Sequence, residues 1–83
     1  MAKDHIQNNI RTLRFFKDEM TQQELADEVG VTRQTIAAIE AGKYFPTLEL
    51  AFRLANVFET TLNEVFTYDP TKDKFKKLKK KKK

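Results

Sequence analysis

The sequence predicts an all-α domain of five short helices, and three observations carry that expectation. The 83-residue chain holds only two glycines and two prolines, so little interrupts its many good helix formers. Between residues 8 and 66 the apolar side chains recur at three- and four-residue spacing, which is the helical period. Threonines stand just before most of these periodic segments and the two glycines just after two of them. Those are the start and stop signals of helices.

Each element follows from its own residues. The first helix is expected over Asn8–Lys17, with Ile10, Leu13 and either Phe16 or Lys17 on one face; Phe15 and Phe16, being adjacent, cannot both face inward. "KDE" ends the pattern. The second helix begins after Thr21, an N-cap, and Glu24 three residues on completes a capping box. Leu25, Ala26 and Val29 form its apolar stripe, and Gly30 supplies the positive φ with which helices commonly end. The third helix starts at Thr32 and stops before Gly42. "KYFP" is a connector, because Pro46 biases Phe45 away from helix. The fourth helix starts at Thr47, with Leu48, Ala51, Leu54, Ala55 and Phe58 expected inward. The fifth is short, with Thr61 as cap, Glu64 closing a second capping box, and Leu62, Val65 and Phe66 buried.

Charge divides the chain. Residues 67–83 carry nine lysines against two aspartates, net +7, and residues 1–66 carry seven basic against ten acidic side chains, net −3. The domain is therefore expected over residues 1–68, and residues 69–83 form a lysine-rich tail expected to be disordered when free. The basic pI lies in that tail, so an argument for nucleic acid must rest on the arrangement of residues in the acidic body. There is no cysteine and a single histidine. Disulfides, a thiolate metal site and any cofactor or catalytic constellation are not expected. The N-terminal "MAKDHIQNN" lacks the apolar stretch expected of a secretory leader, and no apolar run reaches membrane-spanning length. A cytoplasmic, nucleoid-associated protein is the expectation, with no membrane partner and no evident small-molecule ligand.

The segment "TRQTIAAIEAGK", Thr32–Lys43, is short of large apolar residues. At about 100° per residue, Ile36 and Ile39 lie together on one side of its helix. Gln34, Ala37, Ala38 and Ala41 lie nearly opposite, Arg33 and Glu40 share one flank, and Thr35 takes the other. Arginine can bond guanine and glutamine can bond adenine through two hydrogen bonds in the major groove, and alanine can touch a thymine methyl. Small side chains let the helix lie deep. The helix N-terminus favours phosphate.

The stretch "TQQELADEVGVTRQTIAAIEAGKYFPTLELAFRLANVFETTLNEVF" resembles the Cro/phage-repressor-type (XRE) helix-turn-helix regulators, and is most similar to their short, single-domain bacterial and archaeal members. The likeness spans Ile6 to Tyr68, with the helix-turn-helix unit at residues 21–42. It implies a repressor-like DNA-binding domain. It implies base contacts from Arg33, Gln34 and Ala38, and phosphate contacts from Gln22, Thr32, Thr35, Lys43 and Tyr44. It also implies a structural pair, Arg14 and Glu40, tying the first helix to the end of the third. Relatives with the "KYxPxLELA" pattern and the "VFxY" ending form two-fold dimers. Some add a small two-stranded sheet, which here would pair residues around His5–Gln7 with Phe66–Tyr68. One departure is that "RFFKDEM" is a residue longer than the commonest family spacing.

These readings point to a regulator and away from an enzyme. The expectation is a homodimer that binds double-stranded DNA at a near-palindromic operator and acts by repression. Two other classes keep the fold. One is an antitoxin or protein-interaction module, which would bind a partner protein tightly. The other is a non-specific architectural DNA binder driven by the lysine tail, which would not distinguish one duplex from another.

Overall fold

The computed structural model describes residues 4–78. In chain order they form β1 (Ile6–Asn8), α1 (Ile10–Phe16), α2 (Gln22–Val29), α3 (Arg33–Glu40), α4 (Leu48–Val57), α5 (Leu62–Val65) and β2 (Phe66–Tyr68), followed by a 3-10 turn at Pro70–Lys72. The fold is thus five helices with one small antiparallel sheet, as expected. The sheet pairs Ile6 with Tyr68, Gln7 with Thr67 and Asn8 with Phe66, so its first strand sits one residue further on than His5–Gln7. Asn8 consequently belongs to the strand, and α1 begins at Ile10.

The helix starts are local chemistry. Thr21, Thr32 and Thr47 each have extended backbone, and each side chain accepts the N–H three residues on. A cap of this kind contributes about 1 kcal/mol. The Glu24 carboxylate accepts the Thr21 N–H at 2.9 Å and completes the capping box. The second box does not form. Thr61 makes no side-chain cap, because α5 is a single turn that passes at Phe66 straight into β2.

The ends are equally specific. Gly30 and Gly42 have φ of 78° and 75°. A Cβ on Gly30 would meet nothing within 4 Å, so the requirement there is backbone conformation alone. The end of α4 uses the same closing geometry without a glycine. Glu59 has φ 55°, its N–H bonds the Asn56 carbonyl, and the Thr60 N–H bonds the Ala55 carbonyl. Asp18 and Glu19, between α1 and α2, also have positive φ.

The core is one cluster. Ile10, Leu25, Ala26, Val29, Ile36, Ile39, Leu50, Leu54, Ala55 and Val65 are buried together, with Leu13, Met20, Val31, Val57, Phe58 and Phe66 packed partly buried around them. Two expected inward residues are not inward. Leu48 is 68% exposed and Leu50 takes its place. The buried stripe of α4 runs through Leu50, Ala51, Leu54 and Ala55, and Leu48 stands roughly a quarter turn from its middle. Phe16 is 77% exposed, because the inner face of α1 is Ile10, Leu13 and Arg14. Its ring packs edge-on against Phe15.

The chain just beyond Tyr68 is tied back to the domain. Asp69 accepts from both the N–H and the hydroxyl of Thr71, and these bonds hold its carboxyl below the usual carboxylate range. The Tyr68 hydroxyl donates to Asp73 at 2.6 Å, which raises the phenol pKa. His5 lies 3.9 Å from the same carboxylate and edge-on to Tyr68 and Phe45. Within the stretch expected as tail, residues 69–73 are thus joined to β2, to His5 and to each other by these contacts. Its last lysines, 79–83, lie outside the described residues.

Candidate nucleic-acid interface

Helix α3 is seated by two isoleucines. Ile36 and Ile39 are buried, and each contributes about 1.5–3 kcal/mol of apolar burial. That seat leaves the first turn of the helix outside. Arg33 and Gln34 are exposed, side by side. Ala37 and Ala38 are half-buried and Ala41 is exposed, so the alanines grade from the flank outward instead of all standing opposite the seat. Thr32 and Thr35 bring their hydroxyls within 3.1 Å of each other at the helix N-terminus. Beyond its C-terminus Lys43 and Tyr44 are both exposed.

A chain of polar side chains locks α3 to the two helices before it. Glu40 accepts Arg14 Nε at 2.7 Å and Arg14 Nη2 at 3.2 Å, one on each carboxylate oxygen. Arg14 also donates to the Met20 carbonyl at 2.7 Å, which fixes the turn between α1 and α2. Gln22 Nε2 donates at 3.1 Å to Glu40 Oε1, the oxygen that Arg14 Nη2 also reaches. Gln22 Oε1 faces Arg33 Nη1 at 3.4 Å. Arg14 and Gln22 thus converge on Glu40, and Gln22 is left with its oxygen turned to Arg33. This fixes the amide of Gln22, and the last link is long enough for Arg33 to leave it at little cost.

The geometry explains why Arg33 and Glu40 share a flank. Seven residues is close to two helical turns, so both come to the side of α3 that meets the start of α2. Gln22, the first residue of α2, bridges them.

Two positioning residues carry no signature that sequence spacing could reveal. Asn8 Nδ2 donates to the Ile39 carbonyl at 3.0 Å, and its Oδ1 accepts the Ile10 N–H at 3.2 Å. One side chain therefore holds the C-terminal turn of α3 and the start of α1. Asn9 does the same for α5, donating to the Glu64 carbonyl through its side chain and to the Val65 carbonyl through its backbone. The side-chain partners are 31 and 55 residues away in sequence.

Among the described residues no group of three or more His, Cys, Asp or Glu side chains is placed to hold a metal ion. No described helix is long and apolar enough to cross a membrane. What the site offers is an exposed short helix with an arginine and a glutamine at its leading turn, hydroxyls at its N-terminus, and a lysine and a tyrosine just past its end.

The chain is similar to known proteins in sequence and in fold. The helix-turn-helix family model HTH_3 matches residues 10–65, from the start of α1 to the end of α5. The chain belongs to this XRE-type helix-turn-helix family of transcriptional regulators. An uncharacterized HTH-type transcriptional regulator of Archaeoglobus fulgidus is 49% identical over 53 residues, which is 64% of this chain and 75% of that protein. The uncharacterized HTH-type transcriptional regulator YgzD of Bacillus subtilis is 41% identical over 61 residues, covering 74% of this chain and 91% of its own. In fold, the chain is similar to the crystal structure of a Bacteroides fragilis protein described as a candidate DNA-binding protein. The TM-score is 0.65 at 19% identity, with 75% of this chain and 98% of that one covered.

Proposed function

We propose that this protein is a transcriptional regulator that binds double-stranded DNA sequence-specifically as a homodimer, with α3 of each protomer in a major groove. The observation that carries the reading is the division of α3. Its inner side is sealed by Ile36 and Ile39, its flank is fixed through Glu40, and its leading turn presents Arg33 and Gln34 to solvent. A rigid helix with exposed polar readers is what base recognition requires.

Roles follow from position. Arg33, Gln34 and Ala38 address base edges. Thr32 and Thr35 place their hydroxyls and the helix N-terminus on a phosphate. Gln22, held by Glu40, adds a phosphate contact at the start of α2, and Lys43 and Tyr44 clamp the backbone past the far end of α3. Phosphate contacts of this kind position the protein, and the base contacts specify the site. Two protomers related by a dyad read half-sites about one helical turn, ~34 Å, apart on a near-palindromic operator. Occupancy of that operator blocks transcription by occlusion.

Selection of bound sites from random duplex DNA tests this. The expected result is a two-fold symmetric consensus with half-site centres one helical turn apart. Recovery of unselected sequence at undiminished affinity would instead favour an architectural binder, and no duplex binding at all would favour a protein-interaction module.

A further inference from the structure

We propose that Lys74, Lys76 and Lys77 form a second phosphate-binding surface, aimed at the DNA backbone beside Lys43 by a clasp that ties the chain after β2 to the domain. The inference rests on the operator binding proposed above and adds a contact outside the helix-turn-helix unit. That unit is poor in positive charge. Of the base and phosphate contacts assigned above, only Arg33 and Lys43 are cationic. Arg14 and Arg53 are paired with Glu40 and Glu49, and residues 1–66 are net −3. Much of the affinity for a duplex comes from neutralised phosphates, so this body needs a further source of positive charge. Lys74, Lys76 and Lys77 are all exposed, and among the described residues none of them makes a salt bridge.

A run of lysines does not by itself choose among polyanions, so its placement decides the partner. Asp73 accepts the Tyr68 hydroxyl at 2.6 Å on one carboxylate oxygen, and its other oxygen lies 3.9 Å from His5 Nε2. The backbone adds to the clasp, since the Asp69 N–H donates to the His5 carbonyl at 2.7 Å. The His5 ring meets Phe45 edge-on, with centroids 5.6 Å apart, and Phe45 is two residues past Lys43. From the same sheet, Asn8 holds the Ile39 carbonyl in the last turn of α3.

Sheet, clasp and connector thus meet at the C-terminal end of α3, where Lys43 and Tyr44 are exposed. Four residues of extended chain span at most about 14 Å, so the lysines at 74–77 stay close to the backbone that Lys43 addresses. The clasp also occupies Asp73, the one carboxylate in residues 72–83. Both of its oxygens face Tyr68 and His5, and the lysines beyond it are left as an unbroken positive run.

Site-directed cleavage of the selected operator by the full chain tests this. The chain has no cysteine, so a single introduced one can carry an iron chelate that cuts the nearest sugars. Tagged Lys76→Cys is expected to cut within about half a helical turn, ~17 Å, of the cuts made from tagged Lys43→Cys. Adding Asp73→Ala removes the shared partner of Tyr68 and His5, and is expected to spread the Lys76→Cys cuts over at least about a full turn. In the untagged chain, replacing Lys74, Lys76 and Lys77 together by alanine is expected to lower the magnitude of the slope of log K against log salt by about 0.9 for each phosphate let go. Base preference and helical circular dichroism should not change. Scattered cuts or none from Lys76→Cys, with fixed cuts from Lys43→Cys, overturn the aimed surface and leave operator binding standing. Cuts that Asp73→Ala does not spread overturn the clasp. Fixed cuts from neither position overturn the binding mode on which the inference rests.

Discussion

The carboxylate of Glu40 grips the guanidinium of Arg14 with both oxygens, at 2.7 and 3.2 Å, and so fastens the end of α3 to α1 across 26 residues of sequence. The two side chains are only 14% and 11% exposed, so solvent screens the pair weakly. Removing one partner strands the other. Glu40→Ala or Arg14→Ala is expected to cost about 2–4 kcal/mol, measured by urea unfolding. Replacing both, as Arg14→Met with Glu40→Leu, is expected to recover most of that stability. The double variant should still bind DNA less well than its stability suggests, because Gln22 no longer has the acceptor that orients it. Equal destabilisation in single and double variants would count against this picture.

Backbone conformation gives a pair of opposite effects. Gly30→Ala introduces no clash but forces a Cβ into a left-handed residue, and should destabilise by about 1–2 kcal/mol. Glu59 already carries that strain with φ 55°. Glu59→Gly should stabilise by about 0.5–1 kcal/mol. Thermal or urea midpoints moving the same way for both substitutions would contradict the assignment.

The fold was legible where a residue's role is local. Thr21, Thr32 and Thr47 are short polar residues ahead of periodic segments, and a cap needs only the next three residues to act. Gly30 and Gly42 follow the same logic. The misplaced inward residues have one cause, which is that periodicity gives a face without fixing its centre. In α4 both Leu48 and Leu50 suit a buried stripe, and the way α4 packs against α2 and α5, with Leu50 buried and Leu48 exposed, decides between them. Thr61 and Glu64 have capping-box spacing, but a one-turn helix running into a strand cannot close it. Asn8 and Asn9 were unreadable because their partners arrive only once the termini meet. In the site, the outward place of Arg33 and Gln34 could be read from the wheel. That Gln22 bridges Glu40 and Arg33 could not, since it depends on the crossing of two helices.

The lysine tail and the acidic body suggest a salt test. If the tail grips phosphates, deleting residues 76–83 lowers the magnitude of the slope of log K against log salt by about 0.9 for each phosphate the tail had neutralised. Base preference should not change, because the tail bears no reader. An unchanged slope would assign the tail no part in binding.

Alkaline pH should loosen the fold-back after β2. Asp73 raises the Tyr68 pKa above its ordinary value of 10.0, so the neutral phenol is the form the folded state prefers. The stabilisation is complete below the unfolded value and fades as pH rises through the folded one. Absorbance titration should show one tyrosine ionising late in the wild type, and ordinarily in Asp73→Asn. Identical titration curves would exclude the tether.

The direct test of sequence reading by α3 is the binding of Gln34→Ala to the selected operator and to its single-base variants. The expected result is binding weaker by about 1–3 kcal/mol on the intact site, together with relaxed preference at one position in each half-site and unchanged preference elsewhere. Uniform weakening on every sequence would contradict base readout by this helix.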